Sequence, residues 1–139
     1  MGQKTSELTG AALNWAVAQA EGDKVFRPRL GRPGDWDKEA YLKDGSDDRW
    51  VVRVENPKEA RFVDWTYNPS GDWMQGGPII EREKIGIVPS DDDANVWIGS
   101  MLEPEWKFNR TGLTPLIAAM RCYVAYHLGE DVGIPEELK

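Results

Sequence analysis

The chain has 139 residues, 40% of them hydrophobic, with a single cysteine, a formal charge of -7 and an isoelectric point near 4.8. That size suits one domain, residues 1–139, with a core that needs no metal or disulfide support. The acidic balance argues against general affinity for nucleic acid or anionic membrane, which are bound through lysine and arginine. Cys122 alone can form neither an intrachain disulfide nor a thiolate metal cluster, a usage that fits a reducing compartment.

No stretch approaches the roughly 18 apolar residues of a membrane span, and the N-terminus lacks a basic and apolar export signal. A soluble, unexported chain is expected. The first periodic segment places Leu13, Ala16, Val17 and Ala20 on one helical stripe, with Thr9 as N-cap and Gly22 as stop signal. Leu8 and Leu13 have the spacing of a hydrophobic staple. Residues 27 to 38, "RPRLGRPGDWDK", carry the prolines and glycines of a loop. Ten of the 17 basic residues fall between Lys24 and Arg61, so the positive charge of this acidic chain is concentrated in its first half. Within it, "RWVVRVE" and "RFVDWTY" are rich in β-branched and aromatic residues and predict a hairpin joined across "NPKEA".

"NPSG" after Tyr67 is turn chemistry. In "DWMQGGPIIERE", Pro78 suits the first position of a short helix running through Glu83, followed by a strand from Ile85 to Val88. "PSDDDAN" predicts an exposed turn, "VWIGSML" a strand and "EPEWKFNRTG" a loop. The clearest helix is the last one, with Thr114 as N-cap, Pro115 at its first position, the run "LIAAMRCYVAYHL" and Gly129 beyond it. Apolar on almost every side, it is expected to be central or shared with a second subunit. The tail "IPEELK" is expected to dock only Ile134 and Leu138. The architecture predicted is α+β, a small antiparallel sheet from Arg49 to about Leu102 packed by an N-terminal and a C-terminal helix.

Three segments in this order, "LTGAALNWAVAQAEG", "DWMQGGPIIEREKI" and "TPLIAAMRCYVAYHLGEDVGIPEEL", resemble the NinX family of small proteins of tailed phages and prophages of enteric bacteria. The resemblance implies a phage accessory protein working in the host cytoplasm, and it implies no mechanism. The basic region from Lys24 to Asp48 and the "SDDDAN" turn lie outside it.

The candidate chemistry does not assemble into a catalytic group. His127 is the one histidine in the sequence, and on a helix it points about 140° away from Cys122. Asp91, Asp92 and Asp93 lack the spacing of a calcium loop, and zinc lacks ligands. Glu81 and Glu83 read as surface charge. No cofactor and no metal are expected, and a non-enzymatic role is preferred.

Seven tryptophans are more than such a core requires, and Trp36, Trp65, Trp73 and Trp106 stand beside charges or turns, whereas Trp50 and Trp97 fit a core. Arg121 sits alone in an apolar helix and needs acceptors. Either it bridges to Glu81 or Glu83, or it faces a cavity and awaits an anion. A helix beginning at Pro78 would leave the Gly76 and Gly77 N–H groups free as an anion seat, walled by Trp73 and Met74. The expected site is therefore Trp15, Trp73, Met74, Gly76, Gly77 and Arg121. It would hold a small anionic, nucleotide-derived ligand in a homo-oligomer that sequesters a host defence signal. The alternative is a protein-interaction module that inhibits or redirects a host enzyme.

Overall fold

In the computed structural model the described residues are 2–22, 27–29, 32–37, 42–43, 49–54, 63–101, 107–134 and 138. The chain runs through β1 (Gln3–Lys4), a 3-10 turn (Thr5–Glu7), α1 (Gly10–Glu21), β2 (Arg27–Arg29) and β3 (Arg32–Asp37). It continues through β4 (Leu42–Lys43), β5 (Arg49–Val54), β6 (Val63–Tyr67) and α2 (Trp73–Glu83). The last elements are β7 (Gly86–Pro89), β8 (Trp97–Ser100), β9 (Arg110–Gly112), α3 (Pro115–Leu128) and β10 (Asp131–Val132).

Helix α3 is the post around which α1, α2, the 3-10 turn and β7 to β9 gather. The Thr114 hydroxyl accepts the Ile117 N–H at 3.1 Å, Pro115 fills a position where no donor is needed, and Gly129 turns out at φ 88°. Leu116, Met120, Cys122, Tyr123 and Val124 are buried, as are the small residues Ala118, Ala119 and Ala125. Strands β7, β8 and β9 form an antiparallel meander that rides on this helix. The seat is close because two strand residues lack side chains: a Cβ on Gly99 would strike the Ala118 carbonyl, and one on Gly112 would strike the Ala118 amide and the Ile117 side chain.

Helix α1 packs on another side of α3. Its Leu13, Ala16 and Val17 are fully buried, and Gly22 ends it in the left-handed conformation at φ 78°. Leu8 and Leu13 are both fully enclosed, as the staple requires, although Thr9 caps with its backbone only and makes no side-chain bond. The N-terminus is zipped to the end of α3. β1 pairs antiparallel with β10, and the buried Thr5 hydroxyl donates to the Gly129 and Glu130 carbonyls at 2.7 and 3.1 Å. Ile134 and Leu138 dock in the core, as their apolar character in a polar tail predicts.

The α+β class is correct, but the sheet is not one continuous layer. β4, β5 and β6 form a second antiparallel sheet, in which β5 and β6 are the predicted hairpin. Helix α2 is interposed between β6 and β7, so the two sheets are separate in the chain and in hydrogen bonding. Two further expectations change. Residues 27 to 38 contain the paired strands β2 and β3 instead of an unstructured loop. A two-stranded ribbon needs N–H groups on one side only, so Pro28 and Pro33 are tolerated there. β9 likewise lies within the segment expected to be a loop, held by pairing Arg110, Thr111 and Gly112 with β8. The "PSDDDAN" segment is an exposed turn, closed by the Asp93 carboxylate accepting the Asn95 N–H at 2.9 Å. The "NPKEA" connection and Trp106 lie outside the described residues.

Adding a methyl group at Gly99 forces the sheet away from α3. Gly99→Ala is therefore expected to cost about 1–3 kcal/mol, the range of core overpacking, seen as a lower urea midpoint at unchanged slope. An unchanged midpoint would show that the meander is not seated on Ala118.

Candidate functional site

Helix α2 starts at Trp73, five residues earlier than the sequence pattern predicts. Its N-cap is Asp72, whose carboxylate accepts the Met74 N–H at 2.9 Å and the Gln75 side-chain amide at 3.0 Å. This cap belongs to a larger polar network. Gln75 in turn accepts the Asn68 N–H at 2.7 Å, and Asn68 accepts from the side chain of Asn14 on α1 at 3.0 Å. Asn14, nearly fully buried, takes both the N–H and the hydroxyl of Ser70, at 3.0 and 2.7 Å. The buried Asn14–Ser70 bonds replace lost water contacts, and the part-buried links extend from them to Asp72, so the start of α2 is tied to α1. The "NPSG" turn is closed by the Gly71 N–H on the Asn68 carbonyl at 3.1 Å. Gly71 is needed for space and not for positive φ, since a Cβ there would overlap the Asn68 amide.

The earlier start changes what the two central glycines do. The Gly76 N–H is spent on the Asp72 carbonyl at 2.9 Å. Gly76 is buried, and a Cβ on it would collide with the Pro69 carbonyl and the Leu116 side chain, so it lets α2 approach α3. Gly77 lies inside the helix and is not at its N-terminus, and the N-terminal charge site is already occupied by Asp72. The anion seat expected from a helix beginning at Pro78 is thus not formed by these glycines. Trp73 and Met74 do face solvent, 55% and 86% exposed. Trp15 is only partly buried and packs against the core.

Among the described residues Arg121 makes no bridge to Glu81 or Glu83; backbone carbonyls hold it instead. Its Nε donates to the Leu8 carbonyl and a terminal nitrogen donates to the Thr111 carbonyl, both at 2.8 Å. It fastens the N-terminal segment and β9 to α3. Burial alone pulls its pKa down, and the two carbonyls provide the acceptors that an unpaired guanidinium lacks.

The carboxylate expected to meet Arg121 meets a different arginine. The C-terminal ends of all three helices converge on Arg82, which donates to Glu21 at 2.7 Å, to Glu83 at 2.9 Å and to the Tyr123 hydroxyl at 3.2 Å. Its guanidinium carbon also lies 5.9 Å from the centre of the Tyr123 ring. Glu83 further approaches His127 Nε2 at 3.4 Å, and the His127 ring meets Tyr123 and Tyr126 edge-on at 4.6 and 5.0 Å. Two carboxylates at helix C-termini oppose the helix dipoles, and Arg82 compensates both. The hydrogen bond from Arg82 holds Glu83 below the ordinary carboxylate range, with His127 adding to the effect. Burial, reinforced by the Glu21 charge, pushes Tyr123 up to about 12. Burial also pushes the Cys122 thiol up to about 11, which leaves it a poor nucleophile at neutral pH. The cluster is a structural clasp: its donors and acceptors are paired with one another.

The family described as "Bacteriophage P22, NinX" matches residues 4–127. No curated protein matches the chain.

Because Glu83 is held low in the folded chain, its stabilisation is complete above its unfolded pKa, near 4.3, and is lost as pH falls through the folded value. Denaturation at a series of pH values should show stability falling in that acid range less steeply for Glu83→Gln than for the parent; identical acid limbs would contradict the clasp. Arg121→Met removes two charge-assisted bonds and should cost about 2–4 kcal/mol in the same measurement, whereas an effect below about 0.5 kcal/mol, the level of a surface change, would deny Arg121 its role as a tie.

Proposed function

We propose that this chain, which belongs to the Bacteriophage P22 NinX family, is a non-catalytic phage accessory protein that binds a host protein through the first turn of α2. The observation that carries this reading is the exposure of Trp73 and Met74 on a backbone fixed by the Asp72, Asn68 and Asn14 network. A large aromatic and a flexible thioether held on a rigid helix make an effective anchor, because little conformational freedom remains to be lost on binding. Work in the host cytoplasm belongs to the same proposal. No helix among the described residues is long and apolar enough to cross a membrane.

The non-catalytic part of the reading rests on how the reactive groups are used. Cys122 is buried with a raised thiol pKa, and His127 is engaged by Glu83 and two tyrosines. The ligand-sponge reading has less support, since Arg121 and the Gly76 N–H already have partners within the chain. Self-association through α3 also has less support, because β8, β9 and α1 of the same chain cover that helix.

Trp73→Ala with Met74→Ala should leave stability within about 0.5 kcal/mol of the parent, the usual range for surface changes. The same pair should abolish capture of one stoichiometric protein from host lysate by the immobilised chain, as quantified by mass spectrometry. Equal capture by parent and variant would contradict the reading. A thermal shift with cyclic or linear dinucleotides and no protein partner would favour the sponge instead.

A further inference from the structure

Helix α2 carries a glycine that the fold does not use. Gly76 is required by the close approach of α3, and Gly10, Gly22 and Gly129 each adopt positive φ. Gly77 has neither reason: it lies within a helix, and a Cβ built on it meets nothing within 4 Å among the described residues. Glycine is a poor residue for a helix interior, and alanine would serve the isolated chain better. The next residue, Pro78, compounds the oddity. It has no N–H to offer the Met74 carbonyl one turn earlier, so that carbonyl lacks its regular helical donor and lies on a residue open to water.

Met74, Gly77, Pro78 and Glu81 share one face at helical spacing, and Trp73 borders it next to Gly77. The buried face, with Gly76 and Ile79, is opposite. The outer face is therefore apolar at its start, bare of side chain in the middle, and carries the exposed Glu81 carboxylate near its end, one turn before Lys84 at the C-cap. Glu81 makes no ion pair among the described residues, while its neighbour Glu83 does. Met74 and Glu81 are about 10 Å apart along the axis, at 1.5 Å per residue. Glu81 offers the face a negative charge, on a chain of net charge -7.

Resting on the protein-binding reading above, we infer that the outer face of α2, crossed at Gly77, docks a polypeptide segment of the partner that presents a lysine or arginine among apolar side chains. The bare backbone at Gly77 admits the segment closely. Met74, Trp73 and Pro78 receive its apolar residues, and Glu81 receives the cation. A second copy of this acidic chain is a poorer occupant, since like net charges repel.

The test is a displayed library of random 16-residue peptides selected on the immobilised full-length protein, followed by affinity measurements with the enriched peptides. Enriched sequences should combine lysine or arginine with leucine, isoleucine or phenylalanine. Their affinity should fall tenfold or more for Gly77→Leu, several-fold for Glu81→Gln, and further as salt is raised. Denaturation should confirm that Gly77→Leu is folded and no less stable than the parent. No enrichment, enrichment of sequences without a basic residue, or equal affinity for Gly77→Leu would overturn the inference. A light-scattering dimer of the parent abolished by Gly77→Leu would overturn it in favour of a second copy. Peptides that need Trp73 but ignore Gly77→Leu would overturn it while leaving the Trp73 and Met74 anchor in place.

Discussion

The fold depends on enclosing α3. A helix with hardly a polar face has to be covered on several sides, and the chain achieves this with surfaces that lack bulk. Gly99 and Gly112 bring the β7–β8–β9 meander onto the backbone of Ala118, and Gly76 brings α2 down over Leu116. Arg121 is the exception on this helix, and it is made useful by two carbonyls, one from the N-terminal segment and one from β9. The same residue that would be costly if left alone becomes the tie that joins the N-terminal segment and β9 to α3. Thr5, bonded to the carbonyls that follow α3, closes the remaining gap.

Two polar systems then fix α2, one at each end. Asn14 and the 68–75 turn hold its start, while Arg82, Glu21 and Glu83 clasp its finish to the ends of α1 and α3. A helix anchored at both ends has a defined outer face. That face carries exposed apolar residues, a glycine without internal purpose and a proline within the helix, features that lower the stability of the free chain. Local choices that oppose stability, in a helix otherwise held so firmly, are the physical argument for contact with a partner.

How much of this was legible in the sequence depended on the range of the interaction. The ends of α1 and α3 were readable because Thr9, Gly22, Thr114, Pro115 and Gly129 act within a turn of themselves. The β5–β6 pair was readable from its β-branched and aromatic residues. The start of α2 was not, because Gly-Gly-Pro disfavours a helix locally and only the Asp72 cap, supported by Asn14 from another helix, outweighs it. The β2–β3 ribbon was hidden by its prolines and glycines, which carry turn chemistry in isolation. The surroundings of the expected site residues were only partly legible. Trp73 and Met74 are exposed as an anchor must be, but backbone carbonyls have no signature in sequence, so nothing pointed Arg121 at Leu8 and Thr111. The Arg82 clasp joins residues far apart in the chain; the adjacent Arg82 and Glu83 were its one local sign.

The central claim, that the outer face of α2 is shaped for contact and not for folding, is tested most directly by equilibrium denaturation of Gly77→Ala. If the fold has no use for this glycine, the variant will be more stable than the parent by about 0.5–1 kcal/mol, the helix-interior difference between the two residues. A loss of stability would mean that Gly77 serves the fold itself, and the case for a docking face would fall with it.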